Sequence, residues 1–246
     1  MKRIFSGLLD KVTTYPTSDA VIAVIEEKMR CGENVNIAFV NAHAFNLACR
    51  DANFYSAIRQ SDLLLRDGIG VEILFRMLGS EPGENLNGTD LIPQLLERSF
   101  KNKRVAIFGS AQEELDKAEV LLRDSGLNVV ATVDGFQSED TYLESLRENV
   151  PDVVILAMGM PKQEILSIAL QAEMTSLVTV NGGAVIDFLA GKVERAPRWV
   201  RACHMEWCFR LFMEPKRLFS RYVVGNVVFL SRAVWIKLIT GKRYAN

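Results

Sequence analysis

The sequence predicts an α/β fold with a Rossmann-like, mainly parallel sheet that has helices on both faces, followed by a C-terminal helical appendage. About six short β-branched runs are separated by stretches with the apolar spacing of helices. Most of these runs are apolar throughout, as expected for strands buried on both faces. From about Arg198 the pattern changes to helix-spaced aromatics and cations. We therefore predict a Rossmann-like domain over residues 1–191 and a basic helical appendage over residues 192–246.

The first half of the chain alternates between helical and strand patterns. Ser18 precedes apolar residues that share one helical face, and Gly32 follows where that helix would end. The elements expected after it are a strand at 35–40, a helix around 45–49, a strand at 62–65 and a helix at 71–78.

The alternation continues through the second half. The strand expected at 104–109 is followed by Ser110 and Glu113, which we interpret as a capping box for a helix that ends near Gly126. Pro161 opens a later helix, since proline is tolerated in a first turn. The other expected elements are a strand at 128–133, a helix around 142–146 and strands at 152–159 and 176–183.

Composition limits the class of protein. The chain has 246 residues, of which 49% are hydrophobic and 24% charged, as in a soluble globular protein. With 4 cysteines in no C-x-x-C pair and 2 histidines, we expect reduced thiols in a cytoplasmic protein rather than a zinc cluster or disulfide framework. Asp10 and Lys11 interrupt the N-terminal apolar run, so no signal peptide is expected. No apolar run approaches the ~20 residues that a transmembrane helix needs.

Formal charges are distributed unevenly along the chain. From Lys192 onward there are 12 cationic and 3 acidic residues, which leaves 17 cationic and 27 acidic residues for positions 1–191. A basic tail predicts contact with an anionic partner, either a phosphate-bearing ligand or a membrane surface. The overall net charge of −1 argues against general nucleic-acid binding.

Polar residues that directly follow the apolar runs are candidates for a site, because ligands of open parallel sheets bind outside the carboxyl ends of the strands. These residues are Asn41, Asp67, Lys162, Gln163 and Asn181. Each has a simpler explanation when taken alone. Asp67 could cap the following helix, for example, and Asn41 could be a turn residue.

Other site classes are less well supported. A dinucleotide loop that begins at Gly68 would need its third glycine at position 73, which is Ile73. The chain has no Asp-x-Asp pair of the kind that metal-assisted sugar-nucleotide transfer often uses, so we expect no metal. His43 and His204 are interpreted as packed or surface histidines, and Thr89 could be the cap of a helix that follows a loop.

Seven segments, taken together and in order, resemble the WecG/TagA/CpsF glycosyltransferases, which form glycosyltransferase family 26. The resemblance spans about residues 35–230, and its most specific parts are G-x-P-K-Q-E, F-L-A-G-K-V-x-R-A-P-R-W and E-W-x-x-R-L-x-x-E-P-x-R-L-x-x-R-Y. The segments are FVNAHAF, RDGIGVEIL, NGTDLIPQLL, IFG, AMGMPKQE, GGAVIDFLAGKVERAPRW and EWCFRLFMEPKRLFSRY.

This resemblance implies an inverting, metal-independent transferase without a cofactor. Such an enzyme moves a sugar from a UDP donor to a polyprenyl-diphosphate-linked acceptor at the inner face of the bacterial membrane, for the synthesis of surface glycans. The aspartate of the family's D-G-x-G motif falls on Asp67 and is its proposed general base. A carboxylate that accepts the proton of the acceptor hydroxyl contributes about 10² to 10⁴ in rate.

The resemblance also supplies candidate substrate-binding residues. Asn41 resembles the family's pocket asparagine and Gln163 the glutamine of its P-K-Q-E motif. Arg210, Arg217 and Arg221 resemble the arginines of its C-terminal appendage, which binds the membrane and is thought to close over the site. The other predicted substrate-binding residues are Gly68, Asn87, Gly88, Asp90, Gly159, Lys162 and Asn181.

Without a metal, the UDP diphosphate needs other positive partners, such as backbone N–H groups after Gly159 and tail cations. We expect at least one tail arginine to contact the diphosphate and the others to contact acidic lipid headgroups, or else to be solvated. The aromatic and apolar residues beside them fit a helix that lies on a membrane without spanning it, with core packing as the alternative. These residues are Phe212, Phe219, Tyr222, Val223, Phe229 and Trp235.

Two departures from the family pattern leave the donor sugar open. Many relatives have threonine at the position of Phe39, and Arg-Val at the positions of Asn85 and Leu86. N-acetylmannosamine, its uronic acid, glucose and glucuronic acid are all retained as donors.

Two other functions and an assembly state are also considered. One function is a non-catalytic sugar-nucleotide binder that recruits partners to a membrane, and the other, which rests only on the sheet pattern, is a nicotinamide oxidoreductase. A homo-oligomer is compatible with the sequence.

Overall fold

Seven strands form one sheet in the computed structural model, which describes residues 2–202 and 205–240. Every neighbouring pair is parallel, and the strand order is β1-β3-β2-β7-β6-β4-β5. The strands are β1 (Val12–Thr13), β2 (Val35–Val40), β3 (Leu63–Arg66), β4 (Arg104–Gly109), β5 (Asn128–Val133), β6 (Val153–Ala157) and β7 (Val178–Asn181). The predicted parallel sheet is confirmed, and the two-residue strand β1 is the one that the sequence pattern missed.

Fourteen α-helices connect and cover these strands within the described residues. The first nine are α1 (Lys2–Leu9), α2 (Ser18–Arg30), α3 (Ala42–Ala48), α4 (Ala52–Arg59), α5 (Ile69–Met77), α6 (Gly88–Arg98), α7 (Gln112–Asp124), α8 (Glu139–Asn149) and α9 (Lys162–Glu173). The others are α10 (Val185–Leu189), α11 (Arg198–Ala202), α12 (Glu206–Met213), α13 (Pro215–Phe219) and α14 (Gly225–Thr240), with a π-helical turn (Ser220–Val224) between the last two.

Both faces of the sheet are buried, as the uniformly apolar strands predict. On one face a single apolar cluster lies beneath α2, α6, α7 and α10. On the other face the apolar residues divide into two clusters, one on β2 and β3 and one on β4 and β6. Alternate residues of a strand point to opposite faces, so that Ile37 belongs to the first cluster and Ala38 to the second.

A buried polar seam separates the two clusters of the second face. It is formed by Asn36, Thr179 and Asn181 of the sheet with Gln163, Glu164 and Ser167 of α9. Asn181 Nδ2 donates to Asn36 Oδ1 at 3.0 Å and to the carbonyl of Ile37 at 2.9 Å, which ties β7 to β2. The seam runs below the carboxyl ends of the central strands.

Two helices begin differently from the sequence prediction. The N-cap of α7 is Ala111, and Ser110 has φ 61° and donates its hydroxyl to Asp187 Oδ1 at 2.7 Å. The predicted capping box of Ser110 and Glu113 is therefore wrong, because the hydroxyl of Ser110 binds a side chain elsewhere in the fold. Helix α6 is capped by Asn87 rather than Thr89.

The C-terminal helix packs against the body of the protein. Phe229 is fully buried, and its ring centroid lies 5.9 Å from that of Phe5 and 5.6 Å from that of Phe45. Ala233 and Ile236, on the same side of α14, are buried with it. For Phe229 the core alternative is therefore correct, whereas Phe212, Phe219, Val223 and Trp235 are exposed.

The helical stretch at the C-terminal end of the described chain is longer than the apolar runs of the sequence predict. Pro215–Ile239 is a continuous helical stretch of 25 residues, which by length and composition alone is able to cross a membrane. The expectation that no segment reaches this length is wrong, because the helix continues through Asn226 and Ser231. A single such helix is weak evidence for a span, since core helices of soluble proteins pass the same test.

Replacing Phe229 with alanine should lower the free energy of unfolding by about 3–5 kcal/mol, because it leaves a cavity between Phe5 and Phe45. Urea denaturation measures this loss. Leu238→Ala on the same helix is the control, since Leu238 is 77% exposed and should cost little. Equal losses in the two variants would show that α14 does not dock through Phe229.

Candidate active site

The carboxyl ends of β2, β3, β6 and β7 border one cavity of about 810 Å³. The C-terminal segment forms another part of its wall. The predicted site residues on the wall are Asn41, Asp67, Gly68, Asn87, Gly88, Gly159, Gln163, Asn181, Arg210, Arg217 and Arg221. The structure therefore brings together eleven of the thirteen residues singled out from the sequence.

Asp67 follows β3 directly, and its backbone N–H donates to the carbonyl of Val40 at 2.9 Å. Its Oδ2 accepts a hydrogen bond of 3.1 Å from Asn41 Nδ2, while Asn41 Oδ1 caps α3 by accepting from the N–H of Ala44. Asp67 does not cap α5, because Gly68 occupies the N-cap position. Its carboxylate is thus available to the cavity, and Asn41 is both a helix cap and its hydrogen-bond donor.

The loop that carries Asp67 is held on both sides. Gly68 has φ 86°, a conformation that favours glycine, and its N–H donates to Asn85 Oδ1 at 2.7 Å. The buried guanidinium of Arg66 donates to the carbonyls of Pro82 and Gly83 at 3.0 and 2.9 Å. These contacts fix the position of the carboxylate before any substrate binds.

The environment of Asp67 makes its carboxylate more basic than usual. Burial raises its pKa, and the hydrogen bond from Asn41 and the charges of Arg221 and Arg210 only partly oppose that effect. A carboxylate with a raised pKa is a stronger proton acceptor, which suits a group that takes up a proton during a reaction. The geometry and the electrostatics therefore both fit a general base.

The arginines on the wall form an incompletely paired cationic group. The Nε atoms of Arg210 and Arg221 are buried and have no hydrogen-bond partner, whereas Arg217 makes two hydrogen bonds to the carboxylate of Glu214, at 2.5 and 2.7 Å. Burial lowers the pKa of Arg221, and the charges of Arg210 and Arg217 act in the same direction. Buried guanidinium donors without partners favour an anionic ligand in this part of the cavity.

His43 also lines the cavity, but as a neutral group. Burial, together with the charges of Arg221 and Arg50, lowers the pKa of its imidazole to about 4. It therefore adds no positive charge at neutral pH. His204, like Cys203, lies outside the described residues, and the other three cysteines are free thiols.

Gln163 joins the loops after β6 and β7. Its Oε1 accepts from the N–H groups of Gly159 and Gly183 at 3.1 and 3.0 Å, and its Nε2 donates to Glu164 Oε1 at 2.8 Å. The side-chain amide is thus fully used by the protein. Gln163 positions the two loops, and the N–H of Gly159 is not free for a ligand.

Lys162 and Asp90 do not reach the cavity wall, in contrast to the sequence prediction. Lys162 Nζ turns back to the carbonyls of Gly135 and Gln137 at 2.9 and 3.2 Å, because the loop after β5 lies beside the start of α9. Asp90 is paired with Arg195 and lies 3.6 Å from Arg201. It therefore connects the body to the C-terminal segment.

Several cavity residues were not predicted from the sequence. Phe136, in the loop after β5, is 81% exposed at the cavity rim, and Asp187 lies on the wall at the start of α10. Glu206 is a third cavity carboxyl, and burial raises its pKa. The quoted segments GGAVID and EWCF contained Asp187 and Glu206, but no local pattern marked Phe136. Among the described residues, no group of three or more His, Cys, Asp or Glu side chains could hold a metal ion.

Comparisons with known proteins agree on one family. A model described as the glycosyl transferase WecG/TagA/CpsF family matches residues 8–243. A Bacillus spizizenii protein is 29% identical over 174 residues, which cover 69% of this chain and 68% of the relative. Proteins of Bacillus subtilis and Staphylococcus aureus strain MW2 are 27% and 25% identical, over 74% and 75% of this chain and 72% and 74% of theirs. All three are named N-acetylglucosaminyldiphosphoundecaprenol N-acetyl-beta-D-mannosaminyltransferase.

The buried carboxyl of Glu164 predicts a pH-dependent stability. Burial raises its pKa from 4.5 to about 7, and its Oε2 has no partner. The folded state therefore keeps a proton that the unfolded chain loses above about pH 4.5, so this group lowers stability as the pH rises to 7. Glu164→Gln should gain about 2 kcal/mol over the wild type between pH 5 and pH 8.

Urea denaturation at the two pH values tests this prediction. Glu173→Gln, near the end of the same helix where the side chain is 34% exposed, controls for the loss of one negative charge. If the free energy of unfolding depended on pH identically in the wild type and in Glu164→Gln, the raised pKa of Glu164 would be contradicted.

Proposed function

Because the chain belongs to the WecG/TagA/CpsF family of glycosyltransferases, we propose that it transfers a sugar from a UDP donor to a polyprenyl-diphosphate-linked sugar. The names of the three relatives favour N-acetylmannosamine as the transferred sugar and N-acetylglucosaminyl-diphosphoundecaprenol as the acceptor. The observation that carries this proposal is the meeting of one positioned carboxylate, Asp67, in a single cavity with two arginines whose Nε atoms are buried and unpaired.

Asp67 acts as the general base in this proposal. The acceptor hydroxyl attacks the anomeric carbon of the donor while the bond from that carbon to UDP breaks on the opposite side, which inverts the configuration. The hydroxyl proton passes to the Asp67 carboxylate, and the bonding electrons leave with UDP. Asn41 keeps the carboxylate oriented through its 3.1 Å hydrogen bond.

The guanidinium groups of Arg210 and Arg221 stabilise the departing diphosphate. They supply positive charge and donors in a partly buried site, where such interactions are stronger than in water. The N–H of Gly159 itself is already bonded to Gln163 and does not share this role. The mechanism requires neither a metal nor a cofactor, and we expect transfer to persist in the presence of a chelator.

Phe136 is a candidate for binding the nucleotide base. Its exposed ring lies at the rim of the cavity, and its loop is held by the hydrogen bonds from Lys162. Aromatic rings stack on bases with about 1–3 kcal/mol each. This role would explain why a large apolar side chain stays exposed beside a polar cavity.

The C-terminal segment places the enzyme on the inner face of the cell membrane in this proposal. Opposite the buried side of α14, Val234 and Leu238 are 46% and 77% exposed, and the segment from Lys192 is rich in cations. Apolar side chains beside cations favour an anionic membrane surface, where each cation contributes about 1 kcal/mol. We expect a cytoplasmic protein that associates peripherally.

A donor panel with a lipid-linked acceptor tests the function. The protein is incubated with GlcNAc-diphosphate-polyprenol, a chelator and the UDP derivatives of N-acetylmannosamine, its uronic acid, glucose or glucuronic acid. We expect acceptor-dependent release of UDP with one donor, N-acetylmannosamine first. UDP binding without transfer from any donor would instead indicate a non-catalytic sugar-nucleotide binder.

Asp67→Asn should lower turnover by about 10² to 10⁴, because it removes the proton acceptor but keeps the size of the side chain. Calorimetric binding of UDP should persist. Asp116→Asn, on the exposed side of α7, provides a matched control with native turnover. Near-native turnover of Asp67→Asn would disprove its assignment as the base.

Arg221→Gln should weaken UDP binding by about ten-fold or more, since a hydrogen bond to a charged group contributes about 1.5–3 kcal/mol. Arg232→Gln removes the same charge from the next part of the helix, where the guanidinium binds Asn46 Oδ1 outside the cavity wall. It should bind UDP normally. Equal weakening in both variants would point to general electrostatic attraction rather than a direct contact.

A further inference from the structure

The cavity that contains Asp67 has two chemically different ends. Its polar end is lined by side chains such as Ser110, Asn181 and Asp187. Its other end extends between α5 and the C-terminal helical segment, and aliphatic side chains of both form part of its lining. We call this end the apolar slot and define it by Ile69, Gly70, Ile73, Val223, Val227 and Leu230.

The walls of the apolar slot are fixed by the docking of α14. Gly70 has no side chain where Phe229 approaches, and a Cβ at Gly70 would lie 3.6 Å from the Phe229 ring and 3.3 Å from Ala42 Cβ. Phe229 fills the space beneath the slot, and the aliphatic side chains stand at its sides. The slot is therefore a consequence of core packing rather than of a loose surface segment.

The slot leaves a concentrated apolar surface open to solvent. Ile73 and Val223 are 37% and 36% exposed, and Leu230 and Val227 are 38% and 65% exposed. A cluster of exposed large apolar side chains is typical of a binding surface, whereas exposed apolar residues elsewhere on a protein are normally scattered singly. Tyr222 and Asn226, from the same stretch of the C-terminal segment, also line the cavity.

The slot is continuous with the reacting centre. Asp67 is separated from Ile69 by one residue, and Ile73 lies a further ~6 Å along α5. Arg221, which acts electrostatically on Asp67, lines the same cavity. A ligand with a hydroxyl at Asp67 and an apolar tail would thus meet a carboxylate and aliphatic side chains in one cavity.

We propose that the apolar slot binds the first isoprenoid units of the lipid-linked acceptor, outside the bilayer. This inference rests on the proposed function, which supplies an acceptor with a polyprenyl chain. Continuity with the Asp67 cavity favours this occupant over a helix of a partner protein, because the reacting sugar and the chain belong to one molecule. The slot then contributes to the affinity for the acceptor without contacting the donor.

Two soluble acceptors test the proposal in the absence of vesicles and detergent. Both carry GlcNAc diphosphate, one as its methyl ester and the other as its farnesyl ester, which has three isoprenoid units. For the wild type we expect the farnesyl acceptor to have a KM about ten-fold lower, which corresponds to about 1.4 kcal/mol. Ile73→Glu should abolish this difference and leave the KM of the methyl acceptor and the affinity for UDP unchanged.

Matched controls separate the slot from general surface effects. Ile165→Glu changes an isoleucine of α9 that is also 37% exposed, and it should keep the ten-fold preference for the farnesyl acceptor. Val227→Glu repeats the test from the other wall, with Val234→Glu, two turns along the same helix and outside the cavity wall, as its control. Support requires that the preference is lost only in the slot variants.

Each outcome bears on a distinct claim. Equal KM values of the two acceptors in the wild type, or loss of the preference in Ile165→Glu and Val234→Glu as well, would overturn the slot and leave the proposed transferase intact. Failure of the wild type to glycosylate either acceptor with any of the four UDP sugars would overturn the proposed function, and the slot with it.

Discussion

The candidate site depends on a buried carboxylate and on guanidinium groups that line the same cavity and act on it electrostatically. Asp67 comes from the end of β3, whereas Arg210 and Arg221 come from helical segments more than 140 positions later in the chain. Burial of either charge alone is costly, so the approach of the two kinds of group makes the cavity electrostatically tolerable. The interaction requires α14 to be docked, and Phe229 provides that docking by packing between aromatic rings of α1 and α3.

The polar seam explains how the central strands present loops to the same cavity. Hydrogen bonds of Asn181 tie β7 to β2, and Gln163 joins the loops that follow β6 and β7. A fully apolar interface beneath α9 would bury more hydrocarbon but would offer these loop amides no partner. The seam therefore reduces apolar packing but fixes the geometry of the loops. Glu164 belongs to the seam, and its burial there raises its pKa.

Much of the fold was predictable because buried parallel strands carry a strong local signal. The predicted bounds of β2, β4 and β5 match the structure, since each is a β-branched run between polar residues. Strand β1 was missed because two residues carry no periodicity. The start of α7 was missed because the tertiary contact between Ser110 and Asp187 overrides a local capping pattern.

Predicting the site was harder because a strand end gives a position but not a side-chain direction. Asn41 and Asp67 point into the cavity, whereas Lys162 is drawn away by backbone carbonyls of a neighbouring loop. Asp90 is likewise drawn to arginines that are about 100 residues distant in sequence. The predicted division at residue 191 stays a prediction, although Phe229, beyond it, belongs to an apolar cluster of the body.

The π-helical turn between α13 and α14 has a consequence for how the arginines reach the cavity. Gly225 N–H bonds to the carbonyl of Ser220, five residues earlier, and Asn46 Nδ2 donates to the carbonyl of Gly225 at 2.7 Å. Such a wide turn holds one residue more than a regular turn, and it thereby offsets the helical phase on its two sides by about 100°. Deleting a single residue there would restore regular winding and leave Phe229 seated, but it would rotate the preceding helical segment, which carries Arg210 and Arg217, relative to Asp67. The one extra residue of the π-helical turn therefore sets the orientation of the arginines relative to Phe229.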